Sequence, residues 1–191
     1  MELLCCCGGR LQEAMTMTAI SRRVYPLLLL VVSSACMSKS DLSLRSNYFA
    51  NERAFDQLRN MLFVDTGILS INASTIITPH ATLQTAQTDS SIWREAGVTR
   101  ERFVKYITLF HQLGLEAGVA RDSRGLWFRS ESPSFFNGDT TKGYFYSFVA
   151  PQPLAKTLDH YVPAPNELDS HGSYVVFEAL KDHWYLYAGR N

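Results

Sequence analysis

The stretch Gly118-Val119-Ala120-Arg121-Asp122-Ser123-Arg124-Gly125-Leu126-Trp127-Phe128-Arg129 decides the fold class. Two short runs of β-branched, aromatic and polar residues flank Asp-Ser-Arg-Gly, a turn composition, so the segment reads as a hairpin. Gly125 is placed for the left-handed residue of a bulged turn. Downstream, Gly143-Tyr144-Phe145-Tyr146-Ser147-Phe148-Val149 is apolar on both faces and reads as a central strand. Ser132 to Lys142 between them reads as loop. Pro151 to Asp159 has room for one helical turn, and Tyr161 to Ser173, with Pro163 and Pro165, reads as a long ordered loop or a lid. Tyr174 to Leu180 and His183 to Tyr187 close the chain as a second hairpin.

Upstream of Gly118 the periodicity is helical. Tyr48, Phe55, Leu58 and Leu62 form a stripe with Glu52, Arg53, Asp56 and Arg59 between them, which predicts a helix over Asn47 to Phe63. Ile68 to Thr78 is β-branched enough for one strand, and Ala81 to Ser91 is polar loop. Thr99 then caps a helix carrying Phe103, Ile107, Phe110 and Leu113 or Leu115 inward and closing near Gly114 to Gly118. Helices first and strands afterwards predict an α+β domain: two helices followed by an antiparallel β-meander of about five strands, with the helices packed on one sheet face.

The last hairpin supplies candidate site residues. With Lys181-Asp182 as a two-residue turn, Leu180 faces His183, Glu178 faces Tyr185 and Val176 faces Tyr187. Val175, Phe177, Ala179, Trp184 and Leu186 then share the core face. Glu178, His183, Tyr185 and Tyr187 lie together outside, a polar and aromatic patch suited to a sugar ring or a partner protein. A one-residue slip would exchange the faces.

Composition excludes several functions. The 191 residues carry 18 basic and 18 acidic side chains with no Lys/Arg block, so the electrostatic footprint of nucleic-acid binding is missing. Cysteine occurs at Cys5, Cys6, Cys7 and Cys36 alone. The rest of the chain therefore has no disulfide framework, Cys-ligated zinc site or thiol nucleophile. Of the histidines His80, His111, His160, His171 and His183, three adjoin carboxylates, in Asp159-His160, Asp169-Ser170-His171 and Asp182-His183. That composition permits a general base or a metal ligand, but no spacing is zinc-like, and the bland alternative is solvated turn residues. Gly-x-Ser-x-Gly, Gly-x-Gly-x-x-Gly and Gly-Lys-Ser/Thr motifs are absent, so no cofactor, metal or catalytic residue is expected.

The N-terminal region carries an address. Ser21-Arg22-Arg23 precedes the apolar run Val24-Tyr25-Pro26-Leu27-Leu28-Leu29-Leu30-Val31-Val32, and Ser33-Ser34-Ala35-Cys36 follows. A basic segment, a short apolar segment and small residues are the three parts of a secretory signal. Nine apolar residues reach at most ~14 Å as helix, about half of the ~30 Å hydrocarbon core, so a permanent span is disfavoured. Read from composition alone, the run also fits a buried core segment. With Met15 or Met17 as the start the signal has conventional length, leaving residues 1–14 upstream of it.

Over Ser21 to Cys36 the sequence resembles a bacterial lipoprotein precursor, with Ser-Ser-Ala-Cys as its lipobox. The resemblance implies lipid attachment at Cys36, cleavage after Ala35 and, because Met37 rather than Asp follows the cysteine, an outer-membrane location facing the periplasm. Two or three acyl chains would anchor the protein without a spanning helix. The expected organisation is a signal peptide over residues 1–35, a lipid anchor and Ser-rich tether over 36–46, and one globular domain over 47–191. The expected function is that of a lipid-anchored envelope protein, a binding or accessory domain contacting a partner protein or cell-wall saccharide. A periplasmic hydrolase using the C-terminal Asp/His residues and a purely structural envelope lipoprotein are the alternatives.

Overall fold

A computed structural model describes residues 39–85, 90–130 and 140–190. Cys36 and the expected signal peptide lie outside the described residues.

Helix α1 (Asp41–Val64) begins where Ser40, in extended conformation, accepts a hydrogen bond from the Ser43 N–H. It starts inside the stretch expected to be tether: residues 41–46 are its first turns. Leu44, Tyr48, Phe55, Leu58, Met61 and Leu62 are its buried stripe. The period is broken once, at Asn51 (φ −124°, ψ 20°), whose side-chain amide donates back to the Asn47 carbonyl at 3.1 Å. Helix α3 (Arg100–Leu113) starts at Thr99, which accepts from the Arg102 N–H, and stops at Gly114 in left-handed conformation. Asp65, just past α1, accepts from Arg102 Nε at 2.8 Å and Tyr106 Oη at 2.7 Å, tying the two helices together. A third helix, α2 (Ser90–Ala96), enters the region expected to be loop.

The strands are β1 (Ser70–Ile71), β2 (Thr75–Ile77), β3 (Thr82–Gln84), β4 (Gly118–Arg121), β5 (Leu126–Arg129), β6 (Thr141–Tyr146), β7 (Leu154–Ala155), β8 (Tyr174–Lys181) and β9 (Trp184–Arg190). They form a single sheet in the order β3-β2-β1-β4-β5-β6-β9-β8-β7. The expectation of two helices and a five-stranded antiparallel meander is therefore corrected to a nine-stranded mixed sheet with three helices among the described residues.

Two local causes account for the difference. The run expected to be one strand over Ile68 to Thr78 folds at Asn72, whose side-chain oxygen accepts from the Ser74 N–H (2.9 Å) and the Thr75 N–H (2.8 Å). This turn splits the run into β1 and β2, and β3 extends the sheet beyond them. The segment expected to hold a helical turn contains Pro151 and Pro153, which bias their predecessors toward extended backbone. It yields β7, which pairs parallel with β8 and makes the sheet mixed.

Helices α1 and α3 cover one face of the sheet, called inner here, where Phe55 packs on Tyr144 (ring centroids 4.6 Å) and Phe128 on Trp184 (4.9 Å). One end of that interface is ionic. Lys142 of β6 reaches Asp41 Oδ1 at 2.8 Å and Asp159 Oδ1 at 2.5 Å, both Lys142 and Asp41 being buried. Asp41 Oδ2 also accepts from Thr157 Oγ1 (2.8 Å) and the N–H groups of Leu158 (2.6 Å) and Asp159 (2.7 Å). Burial pushes the Asp41 carboxyl up, but Lys142, Thr157 and the two N–H groups outweigh it and hold it down at about 2. The first turn of α1 is thus fastened to the sheet by a satisfied polar cluster.

Candidate binding groove on the outer sheet face

The second face of the sheet carries its own aromatic cluster of Phe145, Phe177, Tyr185 and Tyr187, with Trp127 and Val175 packed against it. Trp127 lies 4.5 Å from Phe145 and 5.0 Å from Tyr187, and Phe145 lies 5.0 Å from Phe177, all between ring centroids. Such pairs contribute roughly 0.5–1.5 kcal/mol each beyond the area they bury. The rings settle onto the sheet because small residues lie beneath them. A Cβ on Gly143 would stand 2.8 Å from a Tyr187 ring carbon and 2.4 Å from the Phe128 carbonyl oxygen. Gly125 serves the same purpose, since a Cβ there would meet the Tyr146 carbonyl oxygen at 2.3 Å and the Phe145 ring at 2.9 Å. Gly125 is not left-handed, contrary to the expectation of a bulged turn. The β4–β5 turn is instead organised by Asp122, which accepts from the N–H groups of Arg124 (2.8 Å) and Gly125 (3.1 Å).

Beside this cluster runs a groove of about 660 Å³, the size of a small-molecule site. Trp127, Val175 and Tyr187 form apolar lining, Asp122 and Arg124 enter from the β4–β5 turn, and Arg129 and Thr141 enter from the ends of β5 and β6. Gln152 and Pro153 come from the segment before β7, Glu167 and Asp169 from the segment before β8, and Tyr174 from the start of β8. The stretch expected to be a loop or lid over Tyr161 to Ser173 thus supplies part of the wall, with a 3₁₀ turn at Pro165–Glu167.

Most charges lining the groove are already engaged. Arg121 donates to the Thr66 carbonyl at 3.1 Å and to the Leu62 carbonyl, at the end of α1. Arg124 pairs with Asp122 at 3.1 Å and lies 4.8 Å over the Trp127 ring. Burial raises the Asp122 carboxyl, but the Arg124 N–H, the Trp127 indole and the Arg124 guanidinium hold it below its ordinary range. Glu167 accepts from Tyr161 Oη and the Ala164 N–H, both at 2.7 Å, and its carboxyl is lowered first by the Tyr161 hydroxyl. Asp169 accepts from the N–H groups of Ser173 (2.9 Å) and His171 (2.8 Å), which lower its carboxyl. Arg129 alone among these side chains makes no hydrogen bond or ion pair among the described residues.

The four residues expected as one patch are divided. Tyr185 and Tyr187 do share the outer face, but they are buried in the aromatic cluster, 7% and 6% exposed, and Tyr187 alone of the two reaches the groove. Glu178 lies on the inner face, buried and ion-paired with Arg45, and its Oε2 accepts from the Leu158 N–H at 3.0 Å. Burial raises its carboxyl despite Arg45. The cause is the hairpin register: Lys181 pairs with Trp184 across an Asp182-His183 turn in which Asp182 has positive φ (49°), and a bulge separates Ala179 from Lys181. Below the bulge Phe177 faces Tyr187, so Phe177 and Val175 join the outer face while Val176 and Glu178 turn inward.

His183 stands at the hairpin turn, its ring 5.4 Å from Phe148 and 6.0 Å from Tyr146. There Phe63 stacks on Phe148 at 5.9 Å, Phe148 is 68% exposed, and a smaller pocket of about 330 Å³ opens between them and the β4–β5 turn. No hydrogen bond links an imidazole to a carboxylate among the described residues, and no group of three or more His, Cys, Asp and Glu there could hold a metal.

Trp127 and Arg129 were missing from the expected site although the sequence carries their signal. In Leu126-Trp127-Phe128-Arg129 the period of two sets Leu126 and Phe128 on one face and Trp127 and Arg129 on the other. No family model, curated protein or solved structure matches this chain.

Proposed function

We propose that the chain is a lipid-anchored protein of the bacterial cell envelope, held at the outer membrane and facing the periplasm, whose domain binds a cell-wall saccharide in the groove on the outer sheet face. The carrying observation is the pairing, in one groove, of aromatic lining from Trp127 and Tyr187 with the guanidinium of Arg129, which makes no hydrogen bond or ion pair among the described residues. Aromatic rings favour the C–H faces of pyranoses, and a free guanidinium favours a carboxylate in bidentate geometry, so the fitting saccharide bears an acidic substituent. The remaining polar lining offers hydrogen-bond partners to hydroxyls and amides.

The anchor rests on the lipobox at Cys36. Among the described residues no helix is long and apolar enough to cross a membrane. Metabolic labelling with a clickable fatty acid, compared between wild type and Cys36→Ser, tests it; label retained in the variant would overturn the anchor.

Titration calorimetry of the purified protein with soluble muropeptides, against neutral chitotetraose, tests the groove. The expected outcome is preference for muropeptides, a loss of about tenfold in Arg129→Ala, equal to ~1.4 kcal/mol, and a larger loss in Trp127→Ala. Affinity unchanged in both variants, or no heat with muropeptides, would overturn the groove as the site.

A further inference from the structure

We infer that Val162 to Gly172 is a lid that closes over the occupied groove, turning about His160 and Gly172. The inference rests on the reading of the groove as a saccharide site and adds how that site retains its ligand.

The segment belongs to the groove but not to the core. Glu167 and Asp169 line the groove from it. Yet no side chain between Leu158 and Val176 is buried, so the segment can move without exposing core surface. Its polar contacts are equally self-contained. Glu167 accepts from Tyr161 Oη and the Ala164 N–H, and its own N–H donates to the Ala164 carbonyl at 2.9 Å. The backbone and carboxylate of Asp169 bond only to His171, Gly172 and Ser173. No hydrogen bond or ion pair joins Val162 to Gly172 to a described residue outside Tyr161 to Ser173. Tyr161 marks the base, its ring 6.2 Å from that of Tyr174 on β8. Pro163 and Pro165 fix φ in the middle, and the 3₁₀ turn Pro165–Glu167 stiffens it, so the segment moves as a unit.

Backbone rotation is concentrated at the two ends. His160 has φ 63°, a left-handed conformation that residues other than glycine rarely adopt and that recurs at ligand clamps and switch segments. It directly follows Asp159, which Lys142 holds to the sheet. Gly172 has φ 76°, and a Cβ there would meet nothing within 4 Å, so conformation rather than packing requires the glycine. A stiff segment between two such residues is built to hinge. Closing sets the Glu167 and Asp169 carboxylates, as acceptors, on the hydroxyls and amides of a saccharide lying on Trp127 and Tyr187. The ligand thereby makes contacts in the closed state that the open state lacks, which is what drives closure.

The test places spin labels at Ser170→Cys on the lid and Ser123→Cys on the β4–β5 turn, both exposed and neither lining the groove. The full chain is used with Cys5, Cys6, Cys7 and Cys36 replaced by serine, and calorimetry on the labelled protein shows when soluble muropeptides fill the groove. Double electron–electron resonance should then report a mean distance shortened by at least about 4 Å and a narrower distribution, beyond the ~2 Å that separates rearranged loops from rigid ones. Muropeptide heat with an unchanged distance would overturn the lid and leave the groove as the site. Absence of both heat and distance change would overturn the groove and the lid with it.

Discussion

At the residue scale, Lys142 carries the most concentrated interaction in the domain. Removing it leaves Asp41 buried without its counter-charge, so Lys142→Ala should destabilise by about 3–5 kcal/mol, read as a lower urea midpoint with an unchanged slope. The pH dependence has a definite sign. Asp41 titrates near 2 when folded against an ordinary 3.8, so its contribution is present above about pH 4 and is lost as pH falls toward 2. Urea midpoints measured from pH 5 to pH 2 should fall over that window, and Asp41→Asn should lack that part of the decline. None of this was legible beforehand, because Asp41, Lys142 and Asp159 are far apart in sequence and only the folded sheet brings them together. Glu178 illustrates the converse limit: its residue type suggested an exposed partner for Tyr185, and a bulge at Leu180 turned it inward.

Among the elements, α3 was the plainest in the sequence, since Thr99, an apolar stripe and Gly114 all agree on its bounds. Thr99→Ala removes the acceptor for the Arg102 N–H and should cost about 1 kcal/mol in a thermal or urea melt. The hairpin β4–β5 was equally legible from its composition, whereas the function of its glycine was not. Gly125, like Gly143, is required for close approach of an aromatic ring, a constraint set by residues on other strands. Gly143→Ala should destabilise by about 1–3 kcal/mol and displace Tyr187 from Trp127, visible as a change in tryptophan emission. The N-terminal strands β1 and β2 were legible only as one run over Ile68 to Thr78, and β3 fell in the stretch expected to be loop, because pieces of two or three residues are too short for a periodic pattern to form.

For the whole molecule, the unexpected strands β3 and β7 and the split into β1 and β2 convert a small meander into a nine-stranded sheet, while the clustered aromatic face on the side away from α1 and α3 is built by the expected strands β5, β6, β8 and β9. Sequence reading saw the aromatic richness of the C-terminal half but had no means of assigning it to two faces. Lys39, whose ammonium donates to the Ser130 carbonyl at 2.9 Å and the Gly114 carbonyl at 3.1 Å, and buried Asp41 also set where the cooperative unit begins. A chain starting at Ser38 should fold with the stability of the longer protein, whereas one starting at Ser46 should lose the Asp41 cluster and the Arg45 pair and unfold at a clearly lower urea concentration.

Both margins of the sheet are stubs: β3 contributes three residues and β7 two. A long bare margin would offer a row of unpaired N–H and C=O groups to the next molecule, and proteins suppress that hazard by shortening or covering their outermost strands. Of the long strands, β9 lies between β6 and β8 along its length, whereas β7 meets β8 only at Phe177 and Glu178. Among the described residues the parts of β8 on either side of that contact have no strand beside them on the β7 side, so this margin is where one sheet would continue into the next when molecules are crowded side by side.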